Sequence, residues 1–306
     1  MIAVANAPIS YGAFELTVGI YPNVPDGVGV LDRVRDAGYA GVDLGPVGYF
    51  GLGAEIAENL RSRGLGLTGG YLELPFHDPS GMPAAMVELA SLVDVFDAAA
   101  PVNVELGLPA PRPTIAVISL PYRRAVPGRA VNEPELGYTE EQWATFAEQA
   151  EIAAKYCRDR GYSPVFHNET GTNVEAPWEL EKVLELTSYD LCLDTGHLIA
   201  CGGDPVASLR KWSDRVTHIH VKSAYRSRMQ DLIDKNGDVE MIWSQKIFAP
   251  LGEGDLDLPA LASAIRDIDY EGWIVVEQDI FPDEGSLPGA EQDQRNNRAI
   301  LRDLGF

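Results

Sequence analysis

Two textures alternate along the chain. Short apolar, β-branched runs are separated by longer stretches in which apolar residues return every third or fourth position. The runs predict strands at Ile2–Ala5, Gly41–Leu44, Gly66–Tyr71, Thr114–Leu120, Pro164–His167, Asp190–Asp194, Val216–Val221 and Trp273–Glu277. The stretches between them predict helices near 26–37, 51–63, 81–99, 139–160, 176–187, 204–214, 257–268 and 289–304. In the 139–160 segment Trp143, Phe146, Ala147, Ala150, Ala154 and Cys157 form one apolar stripe. Thr139 followed by Gln142 reads as a capping box. Asp204-Pro205 places an acid at the N-cap and a proline in the first turn of another helix.

Eight strands alternating with eight helices imply parallel strands joined by right-handed crossovers. Continuous apolar runs suit strands covered on both faces. The expectation is one α/β domain spanning 1–306, a closed (β/α)8 TIM barrel. An open doubly wound sheet would want a glycine-rich turn after its first strand, and Asn6-Ala-Pro-Ile-Ser-Tyr-Gly12 is not one. The connections near 101–138 and 222–255 are long, which points to segments that cover a site or form a subunit contact. There is no internal repeat and no low-complexity tract.

Charge narrows the partners. Against 24 basic residues stand 46 acidic ones, a formal net charge of −22, which repels the phosphate backbone of a nucleic acid. At 45% hydrophobic residues the chain has material for a core, which weighs against disorder. Cys157, Cys192 and Cys201 are few, odd in number and lack metal-type spacing, as expected in a reducing compartment. The start has no basic region leading into an apolar one, and no apolar run reaches the roughly 18 residues of a membrane helix. The expectation is a cytoplasmic protein with no membrane partner.

In a barrel, chemistry sits where strands end at the C-terminal face. The fifth strand runs into His167-Asn-Glu169, the sixth into Asp194-Thr-Gly-His197, the seventh into His218-Ile-His220-Val-Lys222 and the eighth into Glu277. Strand alternation puts His167 with Glu169, and His218 with His220, on shared faces. Glu169, Asp194, His220 and Glu277 lie nearest the strand ends. Three carboxylates and one imidazole are a hard ligand set, favouring Mn²⁺, Mg²⁺ or Co²⁺ over a structural thiolate zinc. Several other residues have two readings. His218 suits a packed interior position better than a ligand. Asp43 either meets substrate hydroxyls or caps the next helix. Arg112, Arg123, Arg124 and Arg129 pair with surrounding acids or bind substrate. Gly252 and Gly254 suit a turn, His77 and Asp78 a surface loop.

The runs Leu193-Asp194-Thr-Gly-His197, His218-Ile-His220-Val-Lys222, Gly252-Glu-Gly254-Asp-Leu-Asp257 and Tyr270-Glu-Gly-Trp-Ile-Val-Val-Glu277 resemble the xylose-isomerase-like sugar isomerase/epimerase superfamily. Within it, Phe166-His-Asn-Glu169-Thr-Gly-Thr172 and Asn6-Ala-Pro-Ile-Ser10 are most similar to inosose dehydratases. The likeness is sharpest over 164–277. It implies metal ligands at Glu169, Asp194, His220 and Glu277, with His167 an equally placed alternative to Glu169. It also implies catalytic roles for Glu169, Glu277 and His197, and substrate contacts at Asn6, His167, Lys222 and Arg226. Glu169 and Glu175 repeat a six-residue spacing of glutamates seen in the epimerases, and Ser223 stands where dehydratases carry aspartate. The implied activity is that of a metal-dependent lyase dehydrating a cyclic keto-polyol such as inosose. The ion would be Mn²⁺ foremost, with Co²⁺, Mg²⁺ and Zn²⁺ as alternatives. The other readings are a sugar isomerase or epimerase, a β-eliminating lyase of 3-keto-glycosides, and, further off, an endonuclease or a non-catalytic sugar-binding subunit. An oligomer fits any of these.

Overall fold

The computed structural model describes residues 1–282 and 287–306. Nine strand segments form one sheet in the order Gly66–Leu67, Gly41–Val42, Ile2–Asn6, Gly272–Val276, Val216–Val221, Asp190–Asp194, Val165–His167, Arg112–Val117, Gly69–Leu74. Every pairing in it is parallel. The two ends of that order are separated in the chain by Thr68 alone. The Thr68 N–H donates to the Val42 carbonyl at 3.0 Å, and its own carbonyl accepts from the Arg112 N–H at 3.0 Å. One residue therefore bonds both flanking strands, and the sheet closes into the expected eight-stranded barrel.

The helices follow the predicted pattern. Helix Glu140–Asp159 begins at a Thr139 cap with its reciprocal Gln142 bond, and it buries Trp143, Phe146, Ala150, Ala154 and Cys157. Helix Met82–Leu106 differs, running past the predicted end at 99 and through Pro101. Proline forfeits one backbone hydrogen bond there. The last turn is anchored instead by buried Asn103, whose side chain bonds both the N–H and the carbonyl of Leu67 at 2.9 and 2.7 Å.

The long connections carry elements of their own. The 101–138 stretch holds strand Arg112–Val117 and the short helices Pro121–Arg124 and Pro134–Leu136. Beyond Lys222 lie helices Arg226–Asp234 and Met241–Ser244, flanked by an antiparallel pair, Ser223–Ala224 with Phe248–Ala249. Among the described residues no helix is long and apolar enough to cross a membrane.

The barrel interior is layered. Its floor packs Trp273 and Val275 against Ala3 and Ala5. The indole fits because Gly41 faces it: a Cβ on Gly41 would lie 2.6 Å from the ring. Above this apolar floor the inward positions turn polar, with buried His218, Asp43 and His220. The register that pairs Val275 with His220 and Asp194 with His220 lifts the polar layer to the C-terminal mouth.

Candidate active site

Asp194 ends the sixth strand and also caps helix Thr195–Ala200. Its Oδ1 accepts from the His197 N–H at 2.9 Å. Its backbone is held by Asn168, which donates to the Asp194 carbonyl and accepts from its N–H, both at 3.0 Å. That leaves Oδ2 facing the mouth. There it lies 3.5 Å from His167 Nε2, 3.9 Å from His220 Nδ1 and 3.1 Å from Lys222 Nζ. Glu277 Oε2 closes the group, 3.2 Å from His220 Nδ1 and 2.9 Å from Lys222 Nζ. The backbone of Lys222 is fixed by the Thr195 hydroxyl, which accepts from its N–H and donates to its carbonyl.

The donor set fits a divalent cation. One ligating atom from each of His167, Asp194, His220 and Glu277 lies within 4.8 Å of the others. Ligands sharing one ion at 2.0–2.2 Å stand at most about 4.4 Å apart, so little contraction is needed. Asp194 Oδ2 and both ring nitrogens of His220 are buried, in ion contacts but with no well-aligned hydrogen bond, and buried polar atoms are ordinarily satisfied. Two neighbouring groups are also close enough, His167–Cys192–His220 and Asp43–His218–His220. They suit a cation less well. Burial pushes the Cys192 thiol up to about 11, and burial pushes the Asp43 carboxyl up to about 6.

Glu169 stands beside the four-residue cluster. Its Oε2 is 3.6 Å from His167 Nδ1, its Oε1 is 3.1 Å from His197 Nε2, and its side chain is 24% exposed where the rest of the site is closed. Burial of its carboxyl, with Asp279 and Asp194 nearby, outweighs Lys222 and raises its pKa well above the usual range. His197 is gripped from the other edge. The Thr170 N–H donates to its Nδ1 at 3.3 Å, with the Thr170 hydroxyl at 3.0 Å. Its Nε2 faces the Glu169 carboxylate on one side and the Lys222 ammonium, 3.0 Å away, on the other. Burial and the Lys222 charge hold this imidazole well below its ordinary pKa. Lys222 is 2% exposed. Burial alone would discharge it, but Asp194, Asp279 and Glu277 keep it protonated.

Of the residues singled out from the sequence, Glu169, Asp194, His197, His220, Lys222, Glu277 and His167 come together. Arg226 does not join them. Its guanidinium is spent on the carbonyls of Ile199 and Gly203 at 3.2 and 2.6 Å. Asn6 is fully buried behind the eighth strand, donating to Val276 O and Gln294 Oε1 at 2.8 and 3.0 Å. Asp279 was missed. Its Oδ1 is 2.8 Å from Lys222 Nζ, and its position two residues after Glu277 was the available signal, because such a pair shares a strand face. Phe248, edge-on to His197 at 4.8 Å and 5.0 Å from Lys222 Nζ, arrives from the hairpin and had no local signal.

Residues 31–304 match the profile of a family described as xylose isomerase-like TIM barrel. The chain is similar to an inosose dehydratase of Clostridium tetani, 31% identical over 150 residues that make up 47% of this chain and 50% of the relative. An inosose dehydratase of Geobacillus kaustophilus is 29% identical over 160 residues, 51% of this chain and 52% of the relative. The chain spans about half the length of the curated relatives it matches. A solved D-allulose 3-epimerase from Methylomonas sp. superposes with a TM-score of 0.66 at 15% identity, covering 99% of this chain and 98% of that one. At that identity the superposition shows a shared fold.

Proposed function

The chain belongs to the xylose isomerase-like TIM barrel family, and from that membership we propose that it is a divalent-metal-dependent lyase dehydrating a cyclic keto-polyol such as an inosose. The reading is carried by the convergence of His167, Asp194, His220 and Glu277 on one cluster, flanked by the Glu169–His197 pair. The similarity to inosose dehydratases supports the substrate class.

His167, Asp194, His220 and Glu277 would hold the ion through two imidazole nitrogens and two carboxylate oxygens, a mixed set open to Mn²⁺ first and to Co²⁺, Mg²⁺ and Zn²⁺ as alternatives. When bound, the ion supplies Lewis-acid polarisation of the substrate ketone. In this assignment Glu169 stays out of the ligand set and is the accessible carboxylate. It takes the proton from the carbon α to the ketone, leaving an enediolate. Glu169 passes that proton to His197 across their 3.1 Å contact, and the imidazolium gives it to the hydroxyl on the next carbon, which departs as water while a carbon–carbon double bond forms, returning both groups to their starting states. The Lys222 ammonium faces the enediolate charge from a dry position, where such a contact is strongest. Arg226 and Asn6 support this site from behind rather than touching substrate. Return of the proton to the opposite face, with Glu277 as second base, would make the protein an epimerase.

Solvent deuterium tests the proton step. Incubation with an inosose and Mn²⁺ in heavy water is expected to place deuterium α to the ketone in recovered substrate or product. Glu169→Gln should suppress exchange and turnover together, by about 10²- to 10⁴-fold, the usual worth of a general base, while the bound metal measured by elemental analysis stays at the wild-type level. Exchange at the wild-type rate in Glu169→Gln would remove Glu169 from this role.

A further inference from the structure

Glu169 and Glu175 share the six-residue spacing of glutamates seen in the epimerases, but Glu175 does not face the site. Glu175 is 1% exposed. Its Oε1 lies 2.9 Å from Arg123 Nη2 and 3.4 Å from the Ala130 N–H. Its Oε2 accepts from the N–H groups of Gly128 at 2.9 Å and Gly171 at 2.7 Å. Both oxygens are committed, so nothing remains to bind a ligand. Arg123, itself fully buried, forks onto Glu179 at 2.6 and 3.2 Å and reaches the Leu136 carbonyl at 3.3 Å. Glu179 in turn accepts from the N–H groups of Glu175 and Ala176, both at 2.9 Å.

This ion triad stitches the connection after the fourth strand to the loop after the fifth. The loop it fixes carries the residues that hold His197. Gly171 sits at φ +84°, where a Cβ would also meet Val239 at 2.9 Å. Its amide is aimed at Glu175, and that fixes the preceding peptide. Thr170 lies one residue earlier, with its N–H and hydroxyl on His197 Nδ1. The path runs Arg123, Glu175, Gly171, Thr170, His197.

We propose that Arg123 is a positioning residue: by clamping Glu175 it sets the Gly171–Thr170 backbone and so holds the His197 ring with its Nε2 edge against Glu169 and Lys222. The inference rests on the catalytic role given to His197 above. The clamp touches no substrate and no metal-ligating side chain. Its loss should therefore slow turnover with little effect on substrate or ion affinity. Outer residues that orient a functional imidazole typically contribute about 10- to 100-fold.

Arg123→Lys keeps the charge but cannot bridge two carboxylates with a planar fork. It is expected to lower kcat about 10- to 100-fold, with KM and bound metal at wild-type levels. Thr170→Val, which removes the hydroxyl at nearly constant volume, should give the same split, and Thr170→Ser should restore activity. Because the residues act through one path, the Arg123→Lys/Thr170→Val double variant should fall little below the worse single one. A folded Arg123→Lys protein with wild-type kcat, or a double variant whose losses multiply, would overturn the proposal. If Arg123→Lys does not fold, Glu175→Gln takes its place in the cycle.

Two-bond ¹H–¹⁵N spectra of the histidine rings, with His197 identified by His197→Gln, read the clamp without turnover. A single ring-protonation pattern is expected for His197 in the wild-type protein, and a shifted or mixed pattern in Arg123→Lys. If no keto-polyol turns over but the spectra change in this way, the functional reading fails and the clamp stands. If the substrate turns over and the His197 signal is identical in both proteins, the clamp fails.

Discussion

Asp194→Asn is expected to strip the protein of its divalent ion and to lower turnover by roughly 10³-fold or more. The two oxygens of Asp194 have separate jobs. Oδ1 caps helix Thr195–Ala200 through the His197 N–H. Oδ2 is the point where His167, His220 and Lys222 approach. Burial alone would push this carboxyl up, but the Lys222 ammonium outweighs it and holds it ionised, well below its ordinary value. Asparagine keeps an oxygen for the cap, so the fold should survive. It removes one of the two negative charges in the four-residue cluster and turns an NH₂ toward an ammonium. Lewis-acid stabilisation is worth several kcal/mol, and each 1.4 kcal/mol is about tenfold in rate. Elemental analysis and circular dichroism on the same sample are the measurements. A variant that is folded, retains stoichiometric Mn²⁺ and turns over normally would exclude Asp194 from the site.

Lys222→Met is expected to destabilise the metal-stripped protein by about 3–5 kcal/mol, the cost of breaking a buried ion cluster from one side. The ammonium lies 2.8–3.1 Å from carboxylate oxygens of Asp279, Glu277 and Asp194. Methionine fills much of its volume but leaves three buried acids without their shared cation. At about 2–4 °C per kcal/mol for a large domain, Tm should fall by roughly 6–20 °C. Divalent ion should recover part of that loss, because an ion bound only by the folded state adds about 2.7 kcal/mol at a hundred times its dissociation constant. The signature is a larger Mn²⁺-induced rise in Tm for Lys222→Met than for the wild-type protein. An unchanged Tm in chelator would mean that Lys222 does not neutralise these acids.

The barrel was legible because its strands bury both faces and its helices bury one, and each leaves its own period in the sequence. The break at Thr68 left no such trace, since that residue still bonds both neighbours. The short helices Arg226–Asp234 and Met241–Ser244 were hidden in a polar stretch where they bury only Met229, Leu232 and Ile242, too few to leave a helical period. The cluster residues were legible because four successive strands end in ligand-type side chains at the face where a barrel works. The division of labour among them was not. His167 and Glu169 share a strand face, and only the three-dimensional register puts His167 within the four-atom cluster and Glu169 against His197. The Arg123 clamp was least accessible. Its partners Glu175 and Glu179 lie 52 and 56 residues away, and a buried ion triad looks in sequence like three ordinary surface charges.

The most direct measurement is the mass of the product formed from an inosose, within a panel that also holds ketohexoses and 3-keto-glycosides, with Mn²⁺ or Co²⁺ and after chelation. Loss of one water from the inosose, dependent on the ion and absent in Asp194→Asn, is the result expected of a keto-polyol dehydratase. A product of unchanged mass, or a water loss that continues unaltered after the ion is removed, would contradict it.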